Sequence, residues 1–144
     1  MLNVDTIDKG TVVDHIKAGK GRKVLDILGI TENYPNRVAL VMNVTSKRLG
    51  KKDIVKIEGK KISQNLTNMI ALICPDSTIN QIEDGTVVKK SQVKMPALLE
   101  GIGTCPNPNC ITNSEHAKPH FVKKDDRFFC SFCERLFLAE ELVK

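Results

Sequence analysis

A chain of 144 residues, 41% of them hydrophobic, is long enough for one ordinary domain or two small ones. Five Phe, one Tyr and no Trp leave any core to Ile, Val and Leu. The net charge of +5 is uneven: residues 1–98 carry 16 Lys and Arg against 10 Asp and Glu, residues 99–144 carry 6 against 7, and phosphate affinity is therefore expected in the first segment. No apolar run approaches the ~18 residues of a membrane span. The opening MLNVDTIDKG lacks the charged and apolar regions of a secretory leader, so a cytoplasmic protein without membrane contact is expected.

In chain order, Gly10 precedes Thr11-Val12-Val13-Asp14-His15-Ile16-Lys17, whose β-branched residues predict a strand with Val13, His15 and Lys17 on one face. Ala18-Gly19-Lys20-Gly21 predicts a turn, and Val24, Leu25 and Leu28 a short helix capped by Gly29. Arg37 to Val44 is a nearly continuous apolar run, expected as a central strand, and Lys47 to Lys52 is a basic loop. Asp53 to Glu58 alternates, setting Ile54 and Lys56 against Val55 and Ile57, so the pair reads as a hairpin. Ser63 is a good N-cap for a helix carrying Leu66, Met69, Ile70 and Ile73 at helical spacing, stopped by Pro75. Strands over Thr78–Ile82 and Thr86–Lys90 flank a Glu83-Asp84-Gly85 turn.

This order predicts an α+β fold, a ferredoxin-like α/β sandwich over residues 1–95. Pro96 marks a boundary, with a linker near Val93–Leu99. Residues 96–144 then form a small antiparallel zinc-ribbon-like domain with strands at Phe121-Val122 and Arg127-Phe128-Phe129.

Two close cysteine pairs, Cys105-Pro106-Asn107-Pro108-Asn109-Cys110 and Cys130-Ser131-Phe132-Cys133, are spaced to bring four thiolates to one tetrahedral centre. Four thiolates leave no open position for substrate or water, so the expected cofactor is one structural zinc per chain; iron is chemically admissible. With four cysteines present, His116 and His120 are not needed as ligands. Asn107, between Pro106 and Pro108, and Asn109, just after Pro108, suit a constrained turn whose backbone N–H groups support the sulfurs. Cys74, at the end of an apolar helical run, reads as a buried inert thiol.

In the basic segment, His15, Lys56 and Lys90 fall on predicted strands and, with Lys17, Lys52 and Lys89, can form a patch for phosphate groups; taken singly, each is as well explained by the wet face of a sheet. Gly19-Lys20-Gly21-Arg22-Lys23 lacks the spacing of a phosphate-cradling loop and is better read as a turn. Neither GxSxG nor HExxH occurs, and nothing points to an active site.

Taken together, Gly10-Thr11-Val12-Val13-Asp14-His15-Ile16, Lys52-Asp53-Ile54-Val55-Lys56-Ile57-Glu58, Asn80-Gln81-Ile82, Val87-Val88-Lys89-Lys90-Ser91 and the cysteine pairs ending in Cys133-Glu134 give a chain that resembles the regulatory chain of aspartate carbamoyltransferase over essentially its whole length. The resemblance implies a non-catalytic subunit of an enzyme of pyrimidine synthesis, with an N-terminal nucleotide-effector domain and a C-terminal zinc domain. Its implied partners are the catalytic chain and a second regulatory chain in a homodimer. CTP inhibits and ATP competes at the same site in well-studied members.

By position, Asp14, His15, Lys56 and Lys90 match residues that contact the nucleotide, Ile7, Asn80, Ile82 and Val87 match residues lining base and sugar, and Lys52 is a further candidate near the phosphates. Cys105, Cys110, Cys130 and Cys133 match the zinc ligands, and Asn107, Asn109 and Glu134 match positions facing the catalytic chain. Two departures stand out: a short lead before the first strand, where some relatives carry a longer arm, and Gly85, where relatives carry a larger side chain. The competing reading is a zinc-ribbon nucleic-acid-binding protein, drawn from the sequence pI of about 9.0 and from Phe121, Phe128, Phe129, Phe132 and Phe137 as stacking platforms. Those aromatics lie in the acidic half and fit a small core better.

Overall fold

Alternating apolar residues in the first segment build a sheet that buries one face and leaves the other open. The computed structural model describes residues 8–115 and 117–143. In chain order the first elements are β1 (Gly10–Lys17), α1 (Gly21–Ile27), β2 (Val38–Ser46), β3 (Gly50–Glu58), α2 (Gln64–Ile73), β4 (Thr78–Glu83) and β5 (Thr86–Gln92). The five strands form an antiparallel sheet in the order β2-β3-β1-β4-β5, the first four being the ferredoxin-like arrangement. Arg37 to Val44 therefore supplies an edge strand and not the central one its apolar run suggests. A continuous apolar run also arises where an edge strand packs beneath a helix, as β2 does beneath α1.

Val13, Val55 and Ile57 turn inward and pack with Val24 and Leu28 of the α1 segment and Ile70 and Ala71 of α2. Both helices lie on this inner face. α2 starts where expected: the Ser63 hydroxyl accepts the Leu66 N–H at 3.2 Å. The β4–β5 hairpin closes through Asp84 and Gly85, both at positive φ (52° and 76°), the pattern a two-residue hairpin turn requires. Cys74 is buried beside this core, and burial raises its thiol pKa.

Two irregularities were not legible as strand pattern. Register between β1 and β3 shifts between Val13 and Ile16, with His15 at φ 56°. Register between β2 and β3 shifts between Val41 and Val44, with Asn43 at φ 62°. Val13, His15 and Lys17 consequently do not share a face: the bulge lets both Val13 and Ile16 enter the core and diverts His15.

Both bulges lie beside Asp53, which is fully buried. Its carboxylate accepts the N–H of Asn43 at 3.0 Å through Oδ1, and those of Gly19 and Gly21 at 3.0 and 2.9 Å through Oδ2. The glycine-rich turn therefore directs its N–H groups at the protein's own carboxylate instead of an external phosphate.

The second sheet has the order β6-β7-β8-β9, from β6 (Leu98–Glu100), β7 (His120–Lys124), β8 (Arg127–Cys130) and β9 (Leu136–Leu138), with a short helix α3 (Ile111–Ser114) and a 3₁₀ turn over Ala139–Leu142. Phe121, Phe128, Leu99 and Leu142 fill its core, and Leu72 of α2 is buried in that same core. α2 thus contributes to both cores. On the opposite face of this sheet, Leu98, Val122, Phe129 and Leu136 are paired neighbours across all four strands, with Leu98 45% and Leu136 51% exposed.

Candidate functional site

The outer face of the five-stranded sheet collects most of the residues singled out in the basic segment. In the ladder, Lys56 of β3 pairs with Val12 of β1, Val12 with Asn80 of β4, and Asn80 with Lys90 of β5. These side chains form a transverse row, with Lys56 and Lys90 three strand spacings, or about 14 Å, apart. In the adjoining row Gly10 pairs with Ile82, and Ile82 with Val87. A register shift after Gln81 lets Val87 and Lys90 share this face despite their odd separation.

Asp14 lies on the other side of the row. Its Oδ1 is 2.9 Å from Lys52 Nζ and accepts the His15 backbone N–H at 2.6 Å. Burial pushes the Asp14 carboxyl up, but Lys52 and the His15 N–H outweigh it and leave the pKa below its ordinary value. His15 Nδ1 lies 3.2 Å from Thr78 Oγ1, at the end of the sheet where a cavity of about 570 Å³ also touches Lys17, Lys51 and Asp76. The face thus holds two cations at the ends of a row, an amide between them and a half-buried ion pair beside it. Such a surface can take a ligand carrying both an anionic tail and hydrogen-bonding edges. Ile7, the remaining residue proposed for it, and His116 lie outside the described residues.

The four cysteines of the second sheet converge. The Sγ atoms of Cys105, Cys110, Cys130 and Cys133 all lie within 4.8 Å of one another, with Cys105 to Cys133 at 3.7 Å and Cys110 to Cys130 at 3.8 Å. A tetrahedral thiolate site with metal–sulfur bonds of ~2.3 Å needs sulfur–sulfur edges of about 3.8 Å, so the donor set fits a four-coordinate ion. Burial and the neighbouring sulfurs raise the Cys105 and Cys130 thiols. At Cys110 burial is outweighed by the hydroxyl and N–H of Thr112, which hold that thiol at about 7. Four such groups cannot all ionise at neutral pH without a cation among them. His120 is not part of the cluster; its Nδ1 lies 2.6 Å from Ser131 Oγ.

The turns that carry the sulfurs are braced from within. Asn107 is buried and its Oδ1 accepts the Asn109 N–H at 3.1 Å, whereas Asn109 is exposed. Asn113, which the motif did not single out, donates through Nδ2 to the carbonyls of Cys105 at 2.9 Å and Asn107 at 2.8 Å. Thr112 Oγ1 donates to Cys110 Sγ at 3.1 Å. Neither residue could be found by ligand spacing, because each acts from α3 just beyond the second cysteine. Glu134, at φ 60°, is exposed and donates its N–H to the Cys130 carbonyl at 2.8 Å as the second turn closes. Phe121 and Phe128 are core residues, which removes them as stacking platforms.

Comparison with known proteins covers both segments. A family model described as the aspartate carbamoyltransferase regulatory chain, allosteric domain, matches residues 2–94, and one described as the metal binding domain of the same chain matches residues 98–143. Among similar proteins, the aspartate carbamoyltransferase regulatory chain of Pyrococcus furiosus is 48% identical, with 99% of this chain and 96% of the relative aligned. The regulatory chain of Thermococcus gammatolerans is 45% identical over the same shares. That of Sulfolobus acidocaldarius is 45% identical over 99% of this chain and 89% of the relative.

Proposed function

Because the chain belongs to the aspartate carbamoyltransferase regulatory-chain family, and is therefore a non-catalytic subunit with an allosteric and a metal-binding domain, we propose that its effectors are CTP and ATP, bound competitively on the outer face of the first sheet. The observation that carries this reading is the transverse row of Lys56, Val12, Asn80 and Lys90 with the Asp14–Lys52 pair beside it. Lys56, Lys90 and His15 supply cationic donors, Asn80 an amide, and Ile7, Ile82 and Val87 an apolar lining for base and sugar. Lys52 reaches the phosphates only by sharing its charge with Asp14. The division between effector and metal modules falls in this reading near residue 95.

The metal is zinc, one per chain, held by Cys105, Cys110, Cys130 and Cys133; it supplies structure and no reaction. It fixes the two turns so that Asn109 and Glu134 face the catalytic chain, with Asn107 ordering the first turn from inside. Two regulatory chains associate as a homodimer in the cytoplasm, and neither nucleic acid nor membrane is a partner. Regulation follows if CTP binds one quaternary state of the assembly more tightly than the other, since equal affinities shift nothing. The reading is tested by reconstituting the holoenzyme and measuring carbamoyl transfer with and without CTP. Inhibition present in the assembled enzyme and absent from free catalytic chain supports it; identical activity curves refute it.

A further inference from the structure

The helix side of the sheet carries a second basic site. Two helices cover the inner face of a five-stranded sheet, and β5, at one edge, contributes no residue to the core beneath them. Between the first turns of α2 and the inner face of β4 and β5 this leaves a cleft of about 400 Å³, within the range of small-ligand sites. Ile62 and Ile79 contribute apolar surface, and Lys61, Lys89 and Lys94 line the cleft with hydroxyl and amide side chains that include Gln64 and Thr67. No Asp or Glu lines it, and among the described residues no carboxylate pairs with any of the three lysines.

We propose that this cleft binds a polyphosphate group, either free or as the tail of a nucleotide. Three cations and a set of neutral hydrogen-bonding groups, of which only Gln81 is engaged by a carboxylate, donating to Glu83 Oε1 at 3.4 Å, select a ligand that is rich in anionic oxygens. The N-terminal end of α2, a ten-residue helix, adds favourable potential at the same place. The location is distinct from the outer face: Lys89 pairs with Gln81 and lines the cleft, whereas Lys90, its neighbour on β5, pairs with Asn80 on the opposite side. The inference is independent of the effector reading, because it uses none of the outer-face residues. One strand then carries anion contacts on both sides, and occupancy of one can shift the other by moving β5.

The test is calorimetric titration of the full chain with sodium tripolyphosphate at low salt, comparing the wild type with Lys89→Gln/Lys94→Gln and with Lys56→Gln/Lys90→Gln. The cleft double variant should lose affinity by about tenfold or more, the loss of one or two charge-assisted contacts, while the outer-face variant keeps binding at the cleft. Amide resonances of Gln64, Thr67 and Ser91 should shift on titration. CTP titrated into the Lys56→Gln/Lys90→Gln chain, whose outer face is disabled, identifies the source: binding tighter than that of tripolyphosphate with the same amides shifted assigns a nucleotide tail, equal or weaker binding assigns free polyphosphate. Unchanged affinity in Lys89→Gln/Lys94→Gln, or shifts confined to Val12 and Asn80, would overturn the proposal.

Discussion

Asp53 Oδ2 accepts the backbone N–H of Gly21 at 2.9 Å, tying the start of α1 to β3. The same carboxylate holds Gly19 and the bulged Asn43, so one buried side chain fixes a turn, an edge strand and a helix start. Asp53→Asn keeps the shape but turns an NH₂ toward backbone donors. Chemical denaturation at neutral pH should show a loss of about 3 kcal/mol. Gly21→Ala should also destabilise, since an added Cβ would lie 3.0 Å from Asp53 Oδ2 and 3.2 Å from its Cβ, as well as 2.5 Å from Leu40 Cδ1. A loss near zero in both would remove Asp53 from this role.

Asp14 gives the chain a pH-sensitive contact. Its carboxyl titrates below the ordinary value in the fold because Lys52 and the His15 N–H outweigh burial. The unfolded chain therefore takes up the proton first. The pair's contribution is present above about pH 4 and is lost as pH falls through the folded value. Lys52→Met leaves burial unopposed by the ammonium, and the Asp14 resonance should then titrate at higher pH in carboxyl-detected NMR. An unmoved titration curve would show that the ion pair does not act in solution.

Lys90→Ala should weaken CTP binding by about tenfold or more, the loss of a charge-assisted contact. Lys56→Ala, at the other end of the row, should do likewise, whereas Lys23→Ala on α1 should not. Calorimetry on the full chain distinguishes them. Equal affinities for all three variants would detach the row from nucleotide binding.

Removing the metal should melt the second sheet and leave the first folded. In small metallodomains metal binding is worth on the order of 10 kcal/mol of folding free energy. Chelation or Cys130→Ser should collapse the dispersion of the Phe121 and Phe128 resonances and abolish association with catalytic chain. A chelated chain that still assembled would contradict the docking role.

Asn113→Ala leaves all four ligands in place but frees the carbonyls of Cys105 and Asn107. Metal affinity, read by competition with a chromophoric chelator, should fall about 10- to 100-fold. The smaller loss expected for Ser114→Ala serves as the control.

The sequence made the repeating features legible. β3 alternates cleanly, Ser63 and Pro75 bracket α2, and two tight cysteine pairs announce a metal site. The bulges at His15 and Asn43 were hidden because a single residue at positive φ leaves the surrounding pattern intact; Asn tolerates that conformation, but does not require it. The edge position of β2 was hidden because hydrophobicity reports burial of side chains and not the neighbours of a strand. β6 and β9, at three residues each, are too short to display a period. The outer-face row depends on register across four strands, which chain-order periodicity does not encode.

The two faces of α2 change what counts as a separable piece. Pro96 looks like a place to cut, yet Leu72 and Met69 pack against the core of the second sheet while Ile70 and Ala71 pack against the first. A fragment ending there would present an oily scar on its surface. The link peptide is severable, but the helix it follows is common property, and strain set up on either side has a rigid rod through which to be felt on the other.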